Sequence, residues 1–372
     1  MNEATQGAKR FLYPLGFFIL LIGLTSPSTA QSRFTKLDDW MENQTKAMGG
    51  RAILVIYKNG QILYDKSVKD MRPGQKTLDK YLAKKQGMQA DVSEYTLDSP
   101  QPVASCSKWF SAALVMTFVD EGSLQLSDTV GKYLPILSAK GKGNITLADC
   151  LSHLTGIKAP PLRESLKQVK NMKNMQDALE EIAGMPMEGE PGKTFHYSSV
   201  GLQIAASVIE KISGKSFQTL FEERITQPLE MKNTDFGHRA LVLPAGGAVS
   251  TPVDYLHFLT MILNKGTYQG KKILSPESVN RMEKNVLGPD VKIEYIPEQA
   301  DGMGYGFGEW VLKDTPKDEP SKWVTSPGLF GSFPWVDNDH QYCAFLMTFY
   351  LSSKGRQDRY FTLKKLVDES IP

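Results

Sequence analysis

The sequence is poor in the residues on which disulfide frameworks, metal sites and nucleic-acid interfaces depend. Only three of its 372 residues are cysteines, Cys106, Cys150 and Cys343, and this odd, sparse set has neither disulfide-framework nor metal-site spacing. The 43 basic residues are scattered among 41 acidic ones, so the sequence indicates no basic surface for nucleic acid. We therefore expect no metal, no cofactor and no nucleic-acid partner. Cys150 and Cys343 are expected to be small apolar core residues.

Motifs of several other enzyme classes are absent as well. The chain contains no G-x-S-x-G and no H-E-x-x-H, which argues against an α/β-hydrolase and a zinc peptidase. Residues 213–216 imitate the end of a phosphate-binding loop, but the earlier glycine that such a loop requires falls on Ile209. The five histidines are dispersed, and His153 is expected to be a hydrogen-bonded structural residue rather than a ligand.

The first thirty residues have the order of a secretory signal. A basic pair precedes the apolar stretch Phe11–Leu24, which is short for a membrane span, and Ser28 and Ala30 then supply a signal-peptidase pattern. We predict that residues 1–30 are a cleaved signal peptide, that the protein is periplasmic or extracellular, and that the mature chain has no stable membrane span. An uncleaved anchor is the alternative, because Glu3 and the long segment before the apolar stretch are not ideal for a signal.

Strands are predicted at both ends of the remaining chain. Residues 51–67 form two strands joined by Asn59-Gly60, a strong signal for a tight hairpin. Three β-rich runs lie near the C-terminus, and RYFTLKKLVDES follows them as a closing helix; the runs are GYGFGEWVL, GLFGSFPWVD and QYCAFLMTFY. The polar segment 67–101 has no clear period and is predicted to be a surface excursion. We expect the hairpin and the three runs to form one antiparallel sheet flanked by helices.

Helices are predicted before the hairpin and through the middle of the chain. The first helix, FTKLDDWMENQTKAM, precedes the hairpin. In the middle of the chain, residues 105–121 are apolar nearly all round, which predicts a helix buried on several sides. A further helix, VGLQIAASVIEKI, has Ser198 or Ser199 as a cap and Gly214 as its end, and AGGAVSTPVDYLHFLTMILNKG contains another. The fold class is therefore α+β, with a mainly helical domain inserted between the strands of the sheet.

This order predicts one domain, residues 31–372, with two lobes. The α/β lobe comprises about residues 31–105 and 240–372, and the helical lobe about residues 106–239. A cleft between two such lobes is a common place for a ligand site.

The stretch VASCSKWFSAALVM places a polar cluster at the start of the apolar helix. Ser105 and Lys108 are three positions apart, so on a helix their side chains share one face. Alternatively, Ser105 is only a helix N-cap and Lys108 lies over the surface. About one S-x-x-K is expected by chance in a chain of this size, so the tetrad alone is weak evidence for a site.

In order and spacing, five stretches resemble the serine β-lactamase and penicillin-binding-protein superfamily, particularly its class C-related branch of esterases and D-peptidases. They are VASCSKWFSAALVMTFVDEGSLQLSDTVGKYLP, ITLADCLSHLTGI, PGKTFHYSSVGLQIAASVIEKISGKSF with ERITQPLEMKNT, AGGAVSTPVDYLHFLTMILNKG with KKILSPESV, and SPGLFGSFPWVD. The resemblance spans most of the chain after residue 30. It implies a β-lactamase/transpeptidase-like fold and a nucleophilic serine hydrolase.

The resemblance assigns three catalytic residues. Ser105 matches the nucleophile, Lys108 matches the lysine that takes its proton, and Tyr197 matches the tyrosine of the family's Y-x-N motif. A serine hydroxyl is a weak nucleophile until a base accepts its proton, and a lysine is such a base only if burial or a helix N-terminus lowers its pKa. Tyr197 would relay a proton to the leaving group; its alternative role is that of a half-buried aromatic residue.

Two of the family's motifs are altered in this chain. Ser199 stands where the Y-x-N motif has asparagine, and Ser326-Pro327-Gly328 stands where a lysine or histidine normally begins the third motif. Ser199, Ser326 and Gly328 are therefore the expected substrate-binding residues, without the usual cation for a substrate carboxylate. Lys322 is the nearest basic residue in sequence and is a possible replacement for that cation.

The resemblance also implies an oxyanion hole and leaves two functions open. The N–H groups of Ser105 and Leu329 are expected to form the hole. The first function is a cell-envelope or secreted hydrolase that forms an acyl-enzyme with a small-molecule or peptide substrate, esterase-like rather than β-lactamase-like. The second is a binding or sensor module on the same fold with turnover lost. The intact Ser105, Lys108 and Tyr197 favour the first.

Overall fold

The computed structural model describes residues 33–85, 91–316 and 318–371, so the predicted signal peptide lies outside the described residues. The α-helices of the described part are α1 (Thr35–Thr45), α2 (Pro73–Lys85), α3 (Ser107–Asp120), α4 (Pro135–Ala139), α5 (Leu147–Leu151), α6 (Leu162–Val169), α7 (Met175–Gly184), α8 (Val200–Ser213), α9 (Phe217–Phe221), α10 (Pro252–Leu263), α11 (Pro276–Met282) and α12 (Arg356–Ser370). Its strands are β1 (Arg51–Lys58), β2 (Gln61–Lys69), β3 (Gln101–Pro102), β4 (Thr194–His196), β5 (Val249–Ser250), β6 (Thr267–Tyr268), β7 (Lys271–Lys272), β8 (Lys292–Tyr295), β9 (Met303–Tyr305), β10 (Trp310–Leu312), β11 (Trp323–Thr325), β12 (Phe333–Asp337) and β13 (Tyr342–Thr348).

One antiparallel sheet combines the two ends of the described chain, as predicted. Its seven strands have the order β2-β1-β13-β12-β11-β10-β9. The hairpin between β1 and β2 turns at Asn59 and Gly60, whose φ angles of 53° and 83° are left-handed, as a two-residue hairpin turn with both central residues at positive φ requires. The predicted α+β class is thereby confirmed.

The C-terminal half contributes five strands to this sheet, whereas three were predicted. GYGFGEWVL divides into β9 and β10, because the chain reverses where the Gly306 amide donates a hydrogen bond to the Glu309 carbonyl at 2.9 Å. The short strand β11 was not predicted. It has three residues and follows a polar segment, so no alternating pattern marks it.

The excursion 67–101 is more regular than predicted. It contains α2, in which Asp79 is the only described buried residue, while Leu78 and Tyr81 are exposed. Arg51 of β1 ties the excursion to the sheet by donating hydrogen bonds to the Asp79 carboxylate and to the Ser93 carbonyl, each at 3.0 Å. The helix over residues 73–85 was not predicted, whereas the exposure of most of its described residues agrees with a surface excursion.

Helices cover both faces of the sheet. On one face, α1 and α12 share a core with the central strands. On the other face, Tyr255 of α10 stacks on Phe345 of β13 at 4.5 Å between ring centroids and contacts Phe110 of α3 at 4.7 Å. Helix α3 therefore lies at the centre of the larger core, and its residues Ser107–Phe118 are buried.

The helix boundaries agree closely with the sequence pattern. Helix α8 begins after Ser199 and ends at Gly214, which has a left-handed φ of 69°. Among the described residues, no helix is both long enough and apolar enough to cross a membrane. The division into two lobes stays a prediction.

Candidate active site

Ser105 lies in a tight turn immediately before α3. The turn is a short 3₁₀ segment, Ala104–Cys106, and Ala104 has a left-handed φ of 48°. The Ser105 side chain caps no helix, since α3 begins at Ser107 and its N-cap residue makes no side-chain hydrogen bond. The alternative in which Ser105 is only an N-cap is therefore wrong, and the half-buried hydroxyl remains accessible for chemistry.

Lys108 lies beneath Ser105 and does not extend over the surface. Its side chain is buried, and Nζ is 3.1 Å from the Ser105 hydroxyl and 2.7 Å from the Ala245 carbonyl oxygen. Burial disfavours the charged amine and lowers its pKa to about 7, although the Cys106 thiol opposes this shift. About half of the lysine is then neutral at pH 7, so it can accept the Ser105 proton.

Two hydrogen bonds between α3 and the residues before β5 position the partner of the Lys108 amine. Ser111 Oγ donates a hydrogen bond to the Pro244 carbonyl at 2.6 Å, and Ser107 Oγ accepts one from the Ala248 amide at 3.0 Å. These contacts fix the Ala245 carbonyl above Lys108. Sequence reasoning missed Ala245, because a backbone acceptor 137 residues away leaves no side-chain signal.

Tyr197 directly follows β4, and its amide donates a hydrogen bond to the Tyr295 carbonyl at 3.1 Å. Aromatic residues hold its half-buried ring: the ring centroid lies 4.7 Å from that of His153 and 5.1 Å from that of Trp310. Nζ of Lys108 is 4.7 Å from the Tyr197 ring centroid. The structure therefore brings together the three residues that the sequence assigned to catalysis.

The surroundings keep the Tyr197 hydroxyl protonated at neutral pH. Burial raises the pKa of Tyr197 well above its usual range, and a side-chain hydrogen bond with Ser105 opposes this shift only in part. His153 beside it is buried, and burial lowers its pKa well below the usual range. Nε2 of this neutral imidazole lies 3.0 Å from the Tyr305 hydroxyl, which confirms the predicted structural role of His153.

Two backbone amides at the nucleophile turn and the loop beside it have no acceptor among the described residues. Neither the Ser105 nor the Leu329 N–H donates a hydrogen bond within the described residues. The Gly328 N–H is occupied by the Ser332 carbonyl at 2.8 Å. A Cβ atom on Gly328 would lie 2.3 Å from the Val103 carbonyl oxygen, so only glycine allows this loop to pass so close to the nucleophile turn. The two free donors are the kind of groups that stabilise an oxyanion.

Ser326, Ser199 and Lys322, the other residues considered for substrate binding, differ in burial and in hydrogen-bond partners. Ser326 is buried, and its hydroxyl donates to the Gly308 carbonyl at 3.0 Å and lies 3.4 Å from the Ser105 carbonyl oxygen, so it anchors the loop. Ser199 is exposed and makes no side-chain cap. The Lys322 side chain is 74% exposed and pairs with Asp339 at 3.6 Å. Its ion pair on the surface argues against Lys322 as a replacement cation.

All three cysteines are free and buried. Burial raises the pKa of the Cys106 thiol far above its usual range, so this neighbour of the nucleophile stays a neutral thiol. One group in the described residues has metal-like spacing: Asp337, His340 and Asp368. The Lys364 ammonium already pairs with both carboxylates, at 2.6 and 2.9 Å, and so occupies the position of a cation.

Comparison with known proteins gives a consistent family. The family model named Beta-lactamase matches residues 37–367. The uncharacterized protein Rv1367c of Mycobacterium tuberculosis is 25% identical over 287 residues, which cover 63% of this chain and 71% of that protein. The D-alanyl-D-alanine-carboxypeptidase/endopeptidase AmpH of Escherichia coli is 24% identical over 270 residues, or 64% of this chain and 66% of AmpH, slightly less than two thirds of its length.

Solved structures have the same fold. A proposed β-lactamase from Bacteroides dorei superimposes with a TM-score of 0.72 at 27% identity and covers 90% of this chain and 98% of that one. A family VIII carboxylesterase superimposes with a TM-score of 0.68 at 18% identity, covering 93% of this chain and 98% of the other. These likenesses confirm the fold that the sequence resemblance implied.

Proposed function

Because this chain belongs to the Beta-lactamase family, whose relatives are hydrolases of the serine β-lactamase fold, we propose that it forms an acyl-enzyme on Ser105 and hydrolyses short acyl esters. The observation that carries the proposal is the contact of 3.1 Å between the Ser105 hydroxyl and a buried lysine whose pKa is about 7. We further propose that the protein is exported and acts in the cell envelope or outside the cell.

The proposed reaction begins when neutral Lys108 accepts the Ser105 proton and Ser105 Oγ attacks the substrate carbonyl carbon. The free N–H groups of Ser105 and Leu329 stabilise the negative oxygen of the tetrahedral intermediate. The intermediate collapses as the leaving alcohol oxygen receives a proton through the Tyr197 hydroxyl. Water then attacks the acyl-enzyme, and the proton that it loses returns to the leaving Ser105 oxygen through the same groups.

The proposal favours esters because the altered third motif supplies no cation for a substrate carboxylate. Ser326 and Pro327 carry no positive charge, the Ser326 hydroxyl is committed to the Gly308 carbonyl, and Lys322 pairs with Asp339. A charge-assisted hydrogen bond to a carboxylate contributes about 1.5–3 kcal/mol, which β-lactams and D-alanyl peptides would lack here. A small activated ester needs only the nucleophile, its base and the oxyanion hole.

The second candidate is a D-alanyl peptidase, which the 24% identity to AmpH favours. One preparation distinguishes the candidates by kcat/KM for p-nitrophenyl butyrate, for nitrocefin and for a D-alanyl-D-alanine peptide. The ester should give the highest value, and a value for nitrocefin or the peptide equal to or above it would contradict the esterase proposal.

Covalent labelling tests the acyl-enzyme separately. Intact-mass analysis after a fluorophosphonate and, in parallel, after penicillin should show one fluorophosphonate adduct and slow or no penicillin adduct. The adduct should be absent from Ser105→Ala. Ligand binding without any labelling or turnover would instead support a binding or sensor module.

A further inference from the structure

A buried arginine holds the loop that contains the free Leu329 amide. Arg356 is the first residue of α12, and the residue is 1% exposed. Its guanidinium donates hydrogen bonds to four backbone carbonyls: Leu329 at 2.9 Å, Gly328 at 3.5 Å, Tyr350 at 3.2 Å and Ser352 at 3.0 Å. Within the described part of the chain it forms no ion pair with a carboxylate. Arg356 therefore joins two loops to α12 and keeps a positive charge behind the site.

Two contacts orient the peptide group between Gly328 and Leu329: the Gly331 amide donates a hydrogen bond to the Gly328 carbonyl at 2.9 Å, and Nη1 of Arg356 reaches the same oxygen at 3.5 Å. The Gly328 carbonyl and the Leu329 N–H belong to the same planar trans peptide, so the two groups point in opposite directions. Since Nη1 of Arg356 lies on the carbonyl side, at 3.5 Å from the Gly328 oxygen, the Leu329 N–H points away from the arginine. No described acceptor takes that N–H.

Other contacts hold the loop against the nucleophile turn. The Gly328 Cα passes so close to Val103 that a Cβ there would lie 2.3 Å from the Val103 carbonyl oxygen. On the following residue, the Phe330 carbonyl accepts hydrogen bonds from the Tyr350 amide at 3.0 Å and from the Thr348 hydroxyl at 3.2 Å. These contacts and the Gly331 amide hold the backbone of the loop. Among the described residues, Arg356 is the side chain that contacts both the Leu329 carbonyl, at 2.9 Å, and the Gly328 carbonyl, at 3.5 Å.

We propose that Arg356 is a positioning residue for hydrolysis, whose guanidinium holds the Leu329 carbonyl and supports the Gly328–Leu329 peptide, so that the Leu329 N–H faces the oxyanion. Its buried charge also favours the negative oxygen of the tetrahedral intermediate, since buried charges are screened far less than exposed ones. The inference rests on the proposed acyl-enzyme chemistry at Ser105. It concerns the transition state rather than substrate binding, so it predicts an effect on kcat.

Two variants test the proposal, with a matched control on the same helix. Arg356→Gln removes the charge and the double contact, and Arg356→Lys keeps a charge but cannot bridge both loops. The control is Arg359→Gln, because Arg359 contacts the Tyr350 hydroxyl and the Lys354 carbonyl but no carbonyl of residues 328–330. Rates for p-nitrophenyl butyrate are divided by the folded fraction measured by circular dichroism.

Loss of one oxyanion donor costs about 10²–10³ in kcat, so misorientation of the Leu329 N–H should cost about tenfold or more. We expect this loss in kcat for Arg356→Gln and about fivefold for Arg356→Lys, with KM changed less than threefold. The affinity for an alkyl boronic acid, which mimics the tetrahedral intermediate, should fall by the same factor as kcat/KM. Arg359→Gln should stay within twofold of the parent in all three measurements.

If Arg356→Gln folds and has the kcat and the boronic acid affinity of the parent, the inference is overturned. If that variant does not fold, parental kcat and affinity in Arg356→Lys would overturn it in the same way. A rate loss that disappears after correction for the folded fraction would also overturn it. Failure of the proposed function has a different signature, since the unaltered protein would then neither hydrolyse the ester nor take up a fluorophosphonate.

Discussion

The pH dependence of ester hydrolysis should report the titration of Lys108. Burial lowers the pKa of this lysine from 10.5 to about 7, and the neutral amine is the form that accepts the Ser105 proton. Activity should therefore reach its plateau about one pH unit above 7, be half-maximal near pH 7, and fall further as the amine becomes charged. At pH 5 only about one lysine in a hundred is neutral, so kcat/KM should be about a hundredfold below its plateau.

The assay is kcat/KM for p-nitrophenyl butyrate, a substrate without charge, between pH 5 and 9, because this ratio reports the groups that titrate in the free enzyme. Lys108→Arg should lose nearly all activity at every pH, since an arginine does not release its proton in this range. Lys142→Arg is the matched control: Lys142 is also buried and donates to a carbonyl, that of Ala183, at 2.8 Å. Its pKa is also lowered, mainly by burial.

A flat profile from pH 5 to 9 in the unaltered protein would refute Lys108 as the base. So would a Lys108→Arg variant with parental kcat/KM. A shifted profile in Lys142→Arg would show that the titration seen in the parent does not belong to Lys108.

Four further outcomes are expected. Ser105→Ala should abolish hydrolysis while its free energy of unfolding in urea falls by only about 1 kcal/mol, and parental turnover would show that another residue is the nucleophile. Tyr197→Phe should keep its melting temperature, because the ring remains between its aromatic neighbours. Its kcat should fall about a hundredfold or more, and an unchanged kcat would show that Tyr197 serves only in packing. Glu309 is fully buried, and neither of its carboxyl oxygens has a hydrogen-bond partner among the described residues. Burial and Glu283 raise its pKa well above the usual range, with Lys265 opposing, so the folded state keeps the proton to a higher pH than the unfolded state does. Its contribution should lower stability by up to about 1.4 kcal/mol per pH unit above about pH 4.3, and in urea unfolding at pH 5 and 8 Glu309→Gln should lose less stability with rising pH than the unaltered protein. Mass spectrometry of protein exported by its native host should show Gln31 as the first residue, and retention of residues 1–30 would exclude cleavage of a signal.

Local chemistry made much of the fold predictable. Asn59 and Gly60 adopt the positive φ angles that a tight hairpin requires, and Gly214 ends α8 in a left-handed conformation. The apolar run of α3 is buried as its composition indicates. In each case the residues that predict the element are the same residues that form it, so the prediction required no knowledge of contacts with distant parts of the chain.

Features that depend on distant contacts could not be predicted in the same way. The described buried residue of helix α2 is the polar Asp79, which contacts Arg51 in the sheet. Lys108 was recognisable from its spacing to Ser105, but its acceptor at Ala245 is a backbone atom far away in sequence. Arg356 likewise acts on carbonyl groups, which any residue would provide, so no motif marks it.

The partners of Lys108 also explain how the site can differ from the family pattern at Ser199. The amine contacts a hydroxyl and a backbone carbonyl, both uncharged, and no carboxylate pairs with it in the described residues. Because burial is the largest cause of its lowered pKa, the base does not depend on the amide that usually completes the Y-x-N motif. The groups that would activate Ser105 are therefore independent of the groups that would hold a substrate carboxylate. Loss of the second set, at Ser199 and Ser326, changes the expected substrate class without removing the proposed chemistry.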